Sequence, residues 1–171
     1  MLVDTNTSNL CIISLQSHKI KESKMKKTYI KSLMIQGIST TTNNANEMSD
    51  DTQKIAPLWE KYADESIYGN TLNKANNTAM YGVYSNYVSD VNGDYDVTVG
   101  VEVTKPKNAI VIENAKYLLF TKKGELPDVA FILWQEIWDY FANNDEYERK
   151  YTVDFEKYSK EDEVEIYISI Q

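Results

Sequence analysis

A chain of 171 residues with a formal net charge of −8 can bury one full hydrophobic core. It carries no basic cluster beyond the short Lys19–Lys27 stretch, which argues against direct binding to nucleic-acid phosphate and favours cationic small molecules or basic protein surfaces. Cys11 and His18 are each the only residue of their kind, which excludes a disulfide framework, a cysteine–histidine metal site and Ser-His-Asp chemistry.

The segment Met1–Lys24 is read as an N-terminal tail. Its apolar stretch Leu10–Leu15 lacks the basic start and small-residue cleavage site of a secretory signal. Met25-Lys26-Lys27 resembles a natural start, so the domain is taken as residues 25–171. The β-branched run Thr28–Ser39 predicts a strand, and Thr40–Asp51 a polar loop. Ile55, Leu58, Trp59 and Tyr62 form one apolar stripe, predicting a helix over Thr52–Asp64. An Asn-rich loop, Ser66–Thr78, leads into strands at Ala79–Ser89 and Tyr95–Thr104, joined through Asn92-Gly93. A strand at Ala109–Thr121 follows. A helix then starts near Pro127-Asp128, with Val129, Ile132, Leu133, Ile137 and Phe141 on one side. Strands near Tyr151–Tyr158 and Glu163–Ile170 close the chain.

The order repeats, and so do the residues. Leu58-Trp59 is echoed by Leu133-Trp134. Tyr81-Gly82-Val83 through Tyr87 is echoed by Tyr151-Thr152-Val153 through Tyr158. Val97, Val99, Val101 and Val103 are echoed by Val164, Ile166, Ile168 and Ile170. The expected fold is α+β: two pseudo-symmetric βαββ modules with an antiparallel sheet and two long helices. No apolar run reaches the roughly 18 residues of a membrane helix, so no membrane partner and a cytoplasmic setting are expected.

Taken in order, LW-x-x-(Y/F), YGVY-x-x-Y, GDYDVTVGVEV, AKYLLF-x-x-x-G, LW-x-x-IW, YTVDFEKY and VEIYISI resemble the GyrI-like effector-binding family. Its members are the ligand domains of drug-responsive AraC- and MerR-type regulators, gyrase-inhibitor-like proteins and integron-cassette proteins. The resemblance covers Thr28 to the C-terminus and includes no DNA-binding module, so it implies a stand-alone form. It implies two βαββ modules enclosing a ligand cavity, with one carboxylate placed among aromatic rings. The residue matched to that carboxylate is Glu165. Where many members read EI-x-(I/V)-P, this chain has Glu165-Ile166-Tyr167-Ile168-Ser169.

Thirteen tyrosines and three tryptophans suit such a cage, since ring faces attract cations, although tyrosine also serves strands and half-buried surfaces. Tyr84, Tyr117, Trp138 and Tyr167 are the expected walls, and Glu102 is the rival carboxylate. Trp59 and Trp134 are open to either reading, wall or helix-to-sheet core. Strand alternation puts Glu165 opposite the Val164/Ile166/Ile168 face, so it serves a ligand only if the cavity lies on its side. Gly100, aligned with Tyr167, either opens space beside a large ring or marks a close strand approach. The resulting reading is a binding protein for lipophilic, cationic aromatic molecules, with no cofactor, no metal and no assigned catalytic residue. Two alternatives stand beside it. One is a gyrase-inhibitor-like module whose partner is DNA gyrase or a DNA-binding regulator. The other is a hydrolase of small electrophiles using Glu165 as base and Tyr84 as acid.

Overall fold

The computed structural model describes residues 23–64, 66–77, 79–105 and 107–171. The N-terminal tail lies outside the described residues apart from its last two, Ser23 and Lys24. Eight strands form one antiparallel sheet: β1 (Lys24–Ile30), β2 (Leu33–Thr42), β3 (Met80–Ser85), β4 (Tyr95–Glu102), β5 (Ile110–Ile112), β6 (Ala115–Lys123), β7 (Val153–Lys160) and β8 (Glu163–Ser169). Two helices are long, α2 (Ile55–Asp64) and α4 (Asp128–Asn143). Two are single turns, α1 (Asn44–Glu47) and α3 (Ile67–Asn70), within segments read as loops. None of the described helices is long and apolar enough to cross a membrane.

The strand order is β1-β6-β8-β7-β3-β4-β2-β5. Its centre is the β3–β7 seam, and the two sides mirror one another: β4 corresponds to β8, β2 to β6 and α2 to α4. The α+β fold with two βαββ modules is therefore present. The predicted strand Thr28–Ser39 is divided between β1 and β2. β1 pairs with β6 at one edge while β2 pairs with β4 and β5 towards the other, so the chain crosses over at Lys31-Ser32.

Alternation along the strands gives the sheet two apolar faces. On the helix-bearing face, Leu58 and Tyr62 of α2 pack on Val97, Val99 and Val101. On the same face, Leu133 and Ile137 of α4 pack on Leu118, Phe120, Ile166 and Ile168. Trp134 touches both clusters and so ties the two modules together. The opposite face carries its own core of Ile35, Tyr81, Val83, Tyr117, Phe155 and Tyr167.

The register also settles the role of Gly100. It lies opposite Gly37, and the two strands come so close that a Cβ on Gly37 would meet the Val99 carbonyl oxygen at 1.8 Å. Gly100 thus serves a close backbone approach. Gly37→Ala is expected to cost about 1–3 kcal/mol through the strain of overpacking, read as a lowered urea midpoint. An unchanged midpoint would show that the β2–β4 contact relaxes freely.

Candidate functional site

Strand β7 sends Asp154, Glu156 and Tyr158 to the helix-bearing face and Phe155 and Lys157 to the other. Glu156 is 4% exposed. One of its oxygens, Oε1, accepts hydrogen bonds from Trp134 Nε1 at 2.6 Å and from the Tyr84 hydroxyl at 2.7 Å. The other, Oε2, accepts from the Tyr158 hydroxyl at 2.8 Å. The donors come from β3, α4 and β7, so elements of both modules converge on one carboxylate.

Gly82 makes the space. It pairs with Glu156 across the seam, and a Cβ there would sit 2.8 Å from Glu156 Oε2 and 3.3 Å from the Trp59 ring. Around the carboxylate two ring pairs lock edge to face and a third is tilted. Trp59 meets Tyr158 at 5.3 Å, Tyr84 meets Trp134 at 5.1 Å, and Trp138 lies beside Trp134 at 6.2 Å. Such pairs hold ring positions beyond what area burial alone would do.

These groups line a cavity of about 380 Å³ between α2 and α4. Three other charged side chains line it: Asp128 is exposed in the first turn of α4, and Glu47 and Arg149 are committed elsewhere. Glu47 caps the start of α2 by accepting the backbone N–H groups of Lys54 and Ile55. Arg149 forms a 2.6 Å ion pair with the fully buried Asp154, which also accepts from the Tyr87 hydroxyl and from Ser169. Glu156 has three neutral donors and, among the described residues, no cationic partner.

Burial pushes the Glu156 carboxyl above its ordinary range, against the opposing pull of the Trp134, Tyr84 and Tyr158 hydrogen bonds. Burial, reinforced by the nearby Glu156 charge, raises the Tyr84 and Tyr158 phenols well above theirs, so both remain donors. The arrangement presents a desolvated negative charge at the end of an apolar, ring-lined cavity.

Of the residues expected from sequence, Tyr84 and Trp138 line this cavity. Glu165, Tyr167, Tyr117 and Glu102 do not: they belong to the other face of the sheet. Glu165 sits between Thr121 and Lys157 in the register, 3.5 Å from the Lys157 ammonium and 3.3 Å from the Tyr167 hydroxyl. Tyr117 is sealed in the core edge-on to Phe155. Glu102 accepts from Asn77. The Glu165–Tyr84 acid–base pair is not formed, because the two side chains leave opposite faces of the sheet. Sequence reasoning missed Glu156, and it left Trp59 and Trp134 undecided.

The missed signal was a matter of register. Gly82 faces Val99 in the first module and Glu156 faces Ile166 in the second. Val99 and Ile166 were already aligned in the repeat, so Gly82 corresponds to Glu156 and Tyr84 to Tyr158. Aligning Tyr81 with Tyr151 displaces that comparison by four residues and hides a glycine-for-glutamate exchange at the seam.

Comparison with known proteins places the fold in context. A profile of the integron-associated effector binding protein family matches residues 28–170, and the chain belongs to that family. It is similar to an integron cassette protein from the mobile metagenome of Vibrio cholerae, with 35% identity and a TM-score of 0.72, over 86% of this chain and 95% of that one. It is 26% identical over 148 residues to YobU of Bacillus subtilis (strain 168), named as a candidate transcriptional regulator, spanning 79% of this chain and 90% of YobU. The protein SAV2435, solved bound to tetraphenylphosphonium, shares the fold at 19% identity and a TM-score of 0.69, over 86% and 94% of the two chains. The chain is thus an effector-binding protein of the GyrI-like type, a class that binds small molecules.

A carboxyl whose pKa is higher in the folded than in the unfolded chain binds more protons when folded. Stability therefore declines as pH rises from about 4.3, the unfolded glutamate value, through the folded pKa. Glu156→Gln retains an amide oxygen for Trp134 and Tyr84 and removes the titration. The variant is expected to gain stability relative to the parent as pH rises from 4 to 7, as read by urea denaturation across that range. Parallel stability curves for the two proteins would show that Glu156 carries no burial penalty.

Proposed function

We propose that the protein binds lipophilic cations in the α2–α4 cavity, with Glu156 as the electrostatic anchor and Trp59, Tyr84, Trp134, Trp138 and Tyr158 as ring walls. One observation carries the reading: a buried carboxylate facing an apolar cavity, oriented by three neutral donors and, among the described residues, left without a counter-charge. A desolvated charge of this kind is unfavourable alone and is relieved by a cation that arrives already stripped of water. A delocalised cation on an aromatic or phosphonium framework loses little hydration on entering and gains contact with ring faces. That SAV2435 was solved with tetraphenylphosphonium supports the choice of ligand class. The role that the family resemblance assigned to Glu165 is carried here by Glu156. With the site at the seam between modules, a bound ligand touches both halves of the domain at once. That is the property a regulator's effector domain needs, and it supports a DNA-binding regulator as the partner class.

The test is a titration of tetraphenylphosphonium against a neutral analogue of the same shape, such as tetraphenylmethane carrying a solubilising group. Removing one member of a desolvated charge pair costs about 2–5 kcal/mol, so Glu156→Gln is expected to weaken the cation about thirtyfold or more. The neutral analogue should lose far less. Trp138→Ala should weaken both, because wall area is indifferent to charge. Cation affinity in the parent should also fall with decreasing pH as protons compete for Glu156. That loss should begin at higher pH than an ordinary carboxylate would allow, while neutral-ligand affinity stays flat. Equal, small effects of Glu156→Gln on both ligands would remove the anchor role.

A further inference from the structure

The charge of Arg149 is committed to Asp154, but its donors are not. Nη2 donates to Asp154 Oδ2 at 2.6 Å, and the guanidinium makes no other hydrogen bond among the described residues. Nε is buried and has no hydrogen-bond partner there. The side chain is 7% exposed and lines the Glu156 cavity, although a guanidinium carries five N–H donors. Asp154 has no room for more of them. Its Oδ1 accepts from the Ser169 backbone N–H and hydroxyl, and its Oδ2 also accepts from Tyr87.

Donors left unpaired away from water are costly, and this group is also held still. The Tyr151 ring lies 4.4 Å from the guanidinium carbon and the Phe141 ring 5.8 Å, so little freedom remains to be lost on binding. Its polar neighbours in the cavity lining are already paired. Tyr87 donates to Asp154, Tyr95 donates to Asn44, and Asn44 donates to the Val91 carbonyl. Register sets the spacing. Glu156 lies opposite Ile166 on β8, whereas Arg149 bridges to Ile170, so Asp154 stands between them along the sheet. Two residues of strand separate Asp154 from Glu156 by roughly 7 Å, which puts the guanidinium on the order of 7–10 Å from the Glu156 carboxylate.

The chemistry of a matching ligand group follows. A ligand donor would find no acceptor on a guanidinium. A ligand anion would meet the Asp154 and Glu156 charges together with that of Arg149. A neutral carbonyl oxygen accepts the spare N–H groups and adds no charge. We infer that the cavity selects, among lipophilic cations, those with a carbonyl or ester oxygen about 7–10 Å from the positive centre. Arg149 donates to that oxygen while Glu156 holds the cation. This rests on the cation reading given above and narrows its ligand class.

The experiment titrates three benzyltriphenylphosphonium ions into the full chain. They are alike except at the para position of the benzyl ring, which carries a methyl ester, an isopropyl group or a carboxylate. That position stands one ring away from the phosphorus, a span matching the separation of Arg149 from Glu156. The ester is expected to bind about tenfold more tightly than either of the others, the worth of a hydrogen bond from a charged donor. It should also shift the Arg149 guanidinium NMR resonances, which the isopropyl ion leaves unmoved. Arg149→Met combined with Asp154→Asn removes the ion pair without stranding either charge. In that variant the ester preference should vanish while the isopropyl ion still binds, and the amide spectrum reports folding. If the variant unfolds, the affinities and guanidinium shifts of the parent decide by themselves. Equal binding of all three ions, weakened alike by Glu156→Gln, would overturn the role of Arg149 and leave the cation reading standing. Tighter binding of the carboxylate would overturn the neutral-acceptor class. Binding of none of the three would overturn both readings.

Discussion

The two modules of this domain converge on a buried carboxylate that has no counter-ion among the described residues. An ionised glutamate removed from water is tolerated only where hydrogen bonds replace the lost solvent, and even then its charged form remains disfavoured. Glu156 receives those bonds from Tyr84, Trp134 and Tyr158, which the chain brings together only once β3, α4 and β7 have assembled. The requirement explains why two tyrosines and a tryptophan turn their polar ends towards one point. It also explains why the helix that supplies Trp134 must dock across the seam and contact both helix-side cores.

The twofold plan of the fold creates this point and then breaks its own symmetry there. A strict repeat would place two glutamates face to face across the β3–β7 seam, where like charges in a dry site repel. The chain has Gly82 in one of the two positions, and the space that glycine leaves is where the Glu156 carboxylate sits. The result is a single negative charge at the pseudo-axis, reached from both modules. The second buried acid of the face, Asp154, is neutralised by Arg149. These two neighbours on one strand differ in kind: Asp154 sits in an ion pair, whereas Glu156 has three neutral donors and, among the described residues, no cationic partner.

Because the sheet is covered by helices on one face and curls over its own core on the other, its central strands serve two environments. Along β7, Glu156 and Tyr158 alternate with Phe155 and Lys157, and each pair meets a different cavity. A perturbation that shifts β7 is felt on both faces, since a packed strand moves as a unit.

Much of the architecture was legible in the sequence. The apolar stripes of α2 and α4, the alternation of β4 and β8 and the Leu-Trp echo are local patterns with fixed periods, and they suffice for two βαββ modules. The splitting of Thr28–Ser39 into β1 and β2 was not legible, because β-branched content marks extended chain without saying which neighbour it pairs with. The site followed the same division. Tyr84 and Trp138, aromatic and on the right elements, could be selected from sequence. The glutamate could not: only Glu165 and Glu102 were weighed, and strand alternation assigns each glutamate to a face but does not say which face the helices cover. That was decided by helices α2 and α4 packing on the side of Val99 and Ile166, and by a seam register that set Gly82 against Glu156. Both are long-range pairings, which no local pattern encodes.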